Sequence, residues 1–255
     1  MRASLLRFVC IFLLLGLTVA GNARAAGQVD VASSPQEVLM DALYDGTTLS
    51  VSGEVPAGSD VVLRLVGAPE TLHLREKGKV FGLLWMNVGT VEFENVPGVY
   101  LVAASRSFDD LGAAGAALRV GGLHERIVQQ HPAAADELDA VTELLRLKIG
   151  NGLYAESAQQ VRLAEDKDGV RAFTASLSVP SALAPGEYTL EAVAVRDGAV
   201  LGSASAPVRA QLVGLPAWLS RMAFDNGLLY GVLATVIAIL SGLAIGMVFQ
   251  SKGAH

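Results

Sequence analysis

Cysteine is nearly absent from the sequence. The single cysteine, Cys10, lies inside an N-terminal apolar block and ahead of a signal-cleavage pattern. A lipoprotein carries its acylated cysteine at the cleavage point, so this position argues against lipid attachment. The chain that remains after cleavage contains no cysteine. This excludes disulfides and thiolate metal sites and leaves the stability of that chain to packing.

Clustered positive charge is also scarce. The 19 Lys and Arg residues stand against 25 Asp and Glu residues, for a net charge of -6. Removal of the N-terminal segment takes away Arg2, Arg7 and Arg24 and makes the remaining chain more acidic. Because nucleic-acid phosphates are bound by clustered Lys and Arg, this composition excludes nucleic acid as the partner.

Catalytic and metal-binding patterns are missing as well. No G-x-S-x-G stretch occurs, so a nucleophile elbow is excluded. His124 and His131 are seven positions apart, whereas the two histidines of a metal-binding helix are four apart. The sequence therefore predicts a non-enzymatic protein with no metal and no cofactor.

The N-terminal segment has the layout of a cleavable secretory signal. Arg2 and Arg7 precede an apolar block at residues 8–20, and Ala23-Arg24-Ala25 follows it. The block is shorter than the roughly 20 residues that a stable membrane helix needs, which disfavours the alternative of a permanent anchor. We predict a signal peptide over residues 1–25.

The C-terminal segment has the length and composition of a membrane span. Residues 228–249 are almost wholly apolar. At about 1.5 Å per residue they reach about 33 Å, enough for a hydrocarbon core of about 30 Å. We predict a transmembrane helix over 228–249, a juxtamembrane segment over 215–227 and a tail over 250–255. A buried core helix is the alternative.

The signal and the span together predict the topology. The signal directs the body outward, and Lys252 follows the span on the inner side. We therefore expect a single-pass protein of the bacterial inner membrane, with a periplasmic body and a cytoplasmic C-terminus.

Small residues recur along the predicted span. Ala234, Ala238, Gly242 and Gly246 are spaced by four and share one helix face. Small side chains let a second helix approach closely. This helix-packing seam predicts a membrane-protein partner or self-association in the bilayer, and a plain lipid anchor is the alternative.

The body reads as two strand-rich blocks. Apolar residues alternate in "TTLSVSGEV", "DVVLRLV" and "RAFTASLSV", "KVFGLLWMN" continues the pattern, and Asp197-Gly198 suits a hairpin turn. We predict a mainly β protein with two immunoglobulin-like antiparallel sandwiches, over 27–107 and 151–214. The apolar faces of the strands are Leu49, Val51 and Val55; Val61, Leu63 and Leu65; and Phe173, Ala175, Leu177 and Val179.

Residues 108–150 change to a helical period. Acidic residues come early, basic residues come late, and Gly150 provides a stop. We expect these helices to bridge the two sandwiches, with a buried stripe of Leu138, Val141, Leu145 and Ile149.

An internal echo links the two blocks. The stretches at 97–100 and 185–188 both place Pro and Gly before a Tyr that enters a strand. Each Tyr is expected to pack its ring and place its hydroxyl near backbone at a sheet corner. The echo is either a trace of duplication or a coincidence of turn composition.

Two places are candidate ligand sites. Arg75, Lys77 and Lys79 come together between predicted strands, where a basic loop would attract an anion and a solvated turn is the alternative. Trp85 and Asn87 would point the same way from a strand and line a groove. For Trp85 we favour the alternative, a place in the sandwich core.

Five stretches resemble blocks of the Alph_Pro_TM family of transmembrane proteins, in the same order and from Asp45 to Phe249. They are "LREKGKVFGLLWMN", "VPGVYLVAAS", "LLRLKIGNGLYAES", "VPSALAPGEYTLEAVAVRDG" and "LLYGVLATVIAILSGLAIG". The resemblance implies an exported β-rich protein with one C-terminal span. It also implies a sulfite-exporter-type permease as a possible partner, because such permeases are encoded beside some members.

These observations lead to two functional expectations. The first is a membrane-anchored periplasmic accessory or interaction protein that docks through the seam. The second is a periplasmic module that binds a small anion or another ligand.

Overall fold

A computed structural model describes residues 28–131 and 138–250. The predicted signal peptide at 1–25 lies outside these residues, as do positions 251–255 of the predicted tail.

Strands dominate the described part of the chain, and helices occupy the middle and the C-terminal end. The strands are β1 Asp30–Ser34, β2 Glu37–Met40, β3 Thr47–Pro56, β4 Asp60–Gly67, β5 Pro69–Val80, β6 Leu84–Pro97, β7 Tyr100–Ala104, β8 Tyr154–Ser157, β9 Val161–Lys167, β10 Val170–Val179, β11 Gly186–Arg196 and β12 Ala199–Leu212. The helices are α1 Gly112–Leu118, α2 Val120–Gln130, α3 Leu138–Gly150, α4 Gly214–Asp225 and α5 Gly227–Gln250. The prediction of a mainly β protein is confirmed.

The strands form two large sheets and a separate hairpin. One sheet has the order β1-β3-β10-β9, and the other has the order β2-β12-β11-β4-β7-β8. The β2–β12 and β7–β8 pairs are parallel, whereas the remaining pairs are antiparallel. Within residues 28–131 and 138–250, strands β5 and β6 pair only with each other.

The core between the two large sheets follows from the alternation of apolar residues. The faces predicted for β3, β4 and β10 are buried in one cluster, as the sequence indicates. Leu49, Val55 and Leu63 in this cluster are fully buried. Period-two patterning therefore identifies the inward face of each of these strands.

The prediction of two separate sandwiches is wrong. Strand β3 of the first block pairs with β10 of the second along its whole length, and β4 pairs with β11. The buried cluster between the sheets draws on both blocks. Alternation tells which face of a strand is apolar but carries no information about its pairing partner, so the sequence did not reveal that the blocks interleave.

A second core lies on the outer face of the six-stranded sheet. Val62 and Val102 point to this side and pack with residues of α1, α2 and α3. Strand β7 is consequently buried on both faces. The helices thus cover one sheet, and the expected bridge between two sandwiches is not formed.

Helix α3 ends at Gly150 as predicted, but its buried stripe differs from the prediction. Val141 and Leu144 are buried, whereas Ile149 is 52% exposed. Lys148 is also buried, and its Nζ donates to the Gly98 carbonyl over 3.0 Å. A stripe shifted by one position brings Lys148 inward, where this hydrogen bond and Glu70, 3.8 Å away, compensate its charge.

Both tyrosines of the echo are structural residues that flank β4. Tyr100 lies opposite Val66, and Tyr188 lies opposite Gly67. The hydroxyl of Tyr188 donates to the Ala184 carbonyl over 2.6 Å, the backbone contact expected of a sheet corner. Because the rings belong to different cores, the two motifs serve opposite faces of one sheet.

Helices α4 and α5 follow the last strand. No residue of α4 is buried, and the apolar window of α5 is not buried anywhere along its length. Within the described residues, α5 is the one helix long and apolar enough to cross a membrane. It contains the whole predicted span.

Candidate functional site

The candidate ligand residues meet on the β5–β6 hairpin. Lys79 lies directly opposite Trp85, and Lys77 lies opposite Asn87. The Lys79 Nζ is 5.2 Å from the centroid of the Trp85 ring, a cation–π distance. Two places that the sequence treated separately are therefore one surface.

The local structure of this surface differs from the prediction. Arg75, Lys77 and Lys79 lie in strand β5, where a loop was expected. Trp85 is 68% exposed, so its preferred assignment to the sandwich core is wrong. The stretch "KVFGLLWMN" is broken by a turn at residues 81–83, which its continuous apolar character conceals.

The turn itself has an unusual composition. Phe81 and Gly82 have φ values of 53° and 71°, and the Leu83 N–H donates to the Val80 carbonyl over 3.3 Å. Two consecutive positive φ angles are typical of a type I′ turn, for which Asn-Gly is the preferred sequence. A bulky residue at positive φ is disfavoured, and the Phe81 side chain is 93% exposed.

The upper hairpin has two different faces. Alternation places Lys77 and Lys79 on one face with Trp85 and Asn87. The opposite face carries Gly78, Val80, Leu84 and Met86.

Gly78 leaves room for a side chain of the facing strand on that second face. A Cβ at Gly78 would lie 2.8 Å from a methyl carbon of Val88. The side chain of Val88 in β6 therefore packs over Gly78 of β5, and Val88 extends the apolar face.

The base of the hairpin is held firmly by the body. Phe93 and Val96 are buried in the helix-side core. His131, at the end of α2, packs its ring 5.5 Å from that of Phe93 and accepts a hydrogen bond from the Glu94 N–H over 2.9 Å. The exposed tip therefore extends from an anchored base.

Tyr154 also secures the base of the hairpin. Its hydroxyl donates to the Pro97 carbonyl over 2.7 Å. Burial raises the pKa of Tyr154, and nearby Glu70 and Tyr100 raise it further. The hydroxyl consequently remains a protonated donor.

A second feature is a recess of about 390 Å³ between the six-stranded sheet and α2. Arg64 and Arg126 both donate to the Tyr100 hydroxyl, over 3.2 and 3.3 Å, and Arg64 also pairs with Glu191. Within the described chain, the buried Nε of Arg64 has no hydrogen-bond partner. Two guanidinium groups that converge on one hydroxyl suit a small anion.

The helix-packing seam lies on an uncovered helix. Ala234, Ala238, Gly242 and Gly246 share one face of α5. Cβ atoms built on Gly231, Gly242 and Gly246 meet nothing within 4 Å among the residues described. A second helix has room to approach this face.

Four residues at the tip of the β5–β6 hairpin were not identified from the sequence. Phe81, Leu83, Leu84 and Met86 are all more than half exposed. The signal was a continuous apolar run around Gly82 next to a basic stretch, which a two-faced strand of a sandwich does not show.

No arrangement for metal chemistry is present among residues 28–131 and 138–250. No group of three or more His, Cys, Asp or Glu side chains there is placed to hold a metal ion. The sites described so far are suited to binding by apolar contact, charge and helix packing.

One family model matches most of the chain. It is described as "Putative transmembrane protein (Alph_Pro_TM)" and covers residues 28–251. No curated protein matches the sequence.

Proposed function

Because the chain belongs to the Alph_Pro_TM family of transmembrane proteins, we propose that it is a non-enzymatic accessory protein anchored by α5. In this proposal the sandwich is periplasmic, the C-terminus is cytoplasmic, and α5 crosses the bacterial inner membrane. The signal-like segment at residues 1–25 and Lys252 behind the span support this orientation.

The uncovered surface of α5 carries the proposal. The helix has no face packed on the β-sandwich, and its small residues are open on one side. A helix that served only as a lipid anchor would not need a row of small residues, whereas a helix that packs on another helix does. We propose that the seam of Ala234, Ala238, Gly242 and Gly246 docks on a membrane protein, with a sulfite-exporter-type permease or a second copy as the occupant.

A pair of matched variants tests the seam. In the double variant Gly242→Leu/Gly246→Leu we expect the membrane proteins that co-purify with the tagged full-length chain to be lost, or its self-association to fall. Ala244→Leu places a leucine about 200° around the helix from Gly242, away from the seam, and should change nothing. Equal recovery from all three proteins would refute docking through this face.

A second candidate function is binding of a small anion in the recess between Arg64 and Arg126. The observation that favours it is that these two guanidinium groups, which line the recess, share one hydroxyl. This site replaces the basic stretch of β5 as the location for an anion, because Arg75, Lys77 and Lys79 lie along an extended strand.

A further inference from the structure

We propose that the tip of the β5–β6 hairpin is a second membrane contact, which enters the headgroup region of the bilayer that holds α5. The tip consists of Phe81, Leu83, Leu84, Trp85 and Met86. The inference rests on the membrane anchoring in the proposed function, but not on docking of the seam to any protein.

The tip has the chemistry of an interfacial segment. Its five large apolar side chains are exposed together at the end of a two-stranded ribbon, a concentration that marks an interaction site on a folded protein. Trp85 is the kind of side chain that prefers the boundary between headgroups and acyl chains. Phe and Leu at the turn would lie deepest, with Trp85 one step behind.

Positive charge lies just behind the apolar tip. Arg75, Lys77 and Lys79 occupy alternate positions of β5, and Glu76 is the sole acidic residue between positions 71 and 91. The protein as a whole carries a net charge of -6, so this local excess of cations has the opposite sign to the whole chain. When the tip is inserted, cations placed behind it along the strand lie at the level of the anionic lipid phosphates and are attracted to them.

The topology sends the hairpin and the anchor out of the same edge of the six-stranded sheet. Strand β4 ends at Gly67, which lies opposite Tyr188, and Tyr188 lies opposite Val208 near the end of β12. Strand β5 begins just after Gly67, and α4 follows Leu212. Both segments therefore leave the body at the same edge, and tethering through α4 gives the tip a high effective concentration at the bilayer that holds α5.

The conformation of the turn supports an external role for Phe81. Asn before Gly82 would suit the two positive φ angles better than Phe81 does. The Phe81 ring gains no burial against the body that would offset this conformational cost, since it is 93% exposed. Strain held by an exposed apolar residue indicates that the side chain acts on something outside the molecule.

Fluorescence of Trp85 in lipid nanodiscs tests the contact directly. The sequence has two tryptophans, so Trp218→Phe leaves Trp85 as the reporter in the full-length chain. In discs of phosphatidylcholine and phosphatidylglycerol, we expect lipids brominated on their acyl chains to quench Trp85 and aqueous iodide not to reach it. Discs expose both leaflets, so the direction of insertion does not affect the result.

Two sets of added variants make the result specific. The double variant Phe81→Asn/Leu83→Asn keeps a favourable Asn-Gly turn but removes two apolar side chains from the tip. We expect the ratio of lipid-bound to free tip to fall at least about tenfold, which is the effect of losing one buried apolar side chain. Lys77→Gln and Lys79→Gln should each lower it about fivefold in discs with phosphatidylglycerol and leave it unchanged in pure phosphatidylcholine. Val200→Asn, at the exposed β11–β12 hairpin, is the control and should have no effect.

Each contrary outcome has its own meaning. Quenching of Trp85 by iodide but not by brominated lipid would overturn the inference and leave α5 as the sole membrane contact. Protection from both quenchers would show that the tip docks on protein, which also overturns it. A chain that does not enter the discs at all would refute the anchoring in the proposed function and the inference with it.

Discussion

The hydroxyl of Tyr100 brings two cations together beneath α2. It donates to the Leu118 carbonyl over 2.7 Å and accepts hydrogen bonds from Arg64 and Arg126. Glu191 offsets the charge of Arg64. Tyr100 is therefore a structural residue that also shapes the recess proposed for an anion.

The charge of Arg126 should decide whether an anion stabilises the protein. With sulfate at about 100 times its Kd, a bound site adds about 2.7 kcal/mol, which corresponds to a rise in Tm of roughly 5–10 °C for a body of this size. We expect that rise in the unmodified chain and its loss in Arg126→Gln, measured by thermal unfolding in detergent. Arg221→Gln removes an exposed cation from α4 and should keep the full rise.

The anion interpretation depends on that contrast. An equal sulfate effect in all three proteins would indicate general salt stabilisation and would exclude the recess as a binding site. No effect in any of them would exclude sulfate as its ligand and remove the support for this second function.

Strand β3 contains a glycine, Gly53, at a position where the neighbouring strands leave no room for a side chain. Gly53 lies opposite Phe173 of β10, and a Cβ there would be 2.6 Å from Cζ of that ring and 2.0 Å from the Asp30 carbonyl oxygen. The ring crosses the strand where a side chain would otherwise stand. The pairing of β1, β3 and β10 thus depends on the absence of one methyl group.

Replacement of this glycine should weaken the four-stranded sheet. We expect Gly53→Ala to destabilise the protein by about 2 kcal/mol or more, because neither backbone nor a packed ring moves easily. Gly186→Ala is the matched control, since a Cβ at Gly186 meets nothing within 4 Å, and it should stay within about 0.5 kcal/mol. Denaturant unfolding followed by intrinsic fluorescence measures both, and similar midpoints would contradict this account of Gly53.

The sequence predicted the elements that have a local signal and missed those that do not. The turns at Asp168-Gly169 and Asp197-Gly198 have positive φ at both residues, as such dipeptides favour. The turn at Phe81-Gly82 was missed because its first residue contradicts that preference and its flanks are apolar. The candidate site was therefore found by its charges and by Trp85, while its shape and its exposed tip were not.

The interleaving of the two strand-rich blocks governs the molecule as a whole. Central strand β4 pairs with β7 of its own block and with β11 of the other block, and β3 pairs with β10. The β3–β10 and β4–β11 pairings join residues more than 100 positions apart. The order of strands in space depends on which apolar faces close a common core, and no local pattern encodes it.

The same interleaving predicts how fragments behave. A fragment of residues 28–107 retains β1 to β7 but lacks β8, β10, β11 and β12. Strands β2, β3, β4 and β7 each lose one ladder partner, and the core between the sheets loses the residues of the second block. We expect it to show no cooperative thermal unfolding by circular dichroism. A fragment of residues 28–225 keeps β1 to β12 and lacks residues 1–27, the unpacked α5 and the tail, and it should unfold cooperatively. Cooperative unfolding of residues 28–107 alone would show that the first block is an independent sandwich and that the shared core is not needed for its folding.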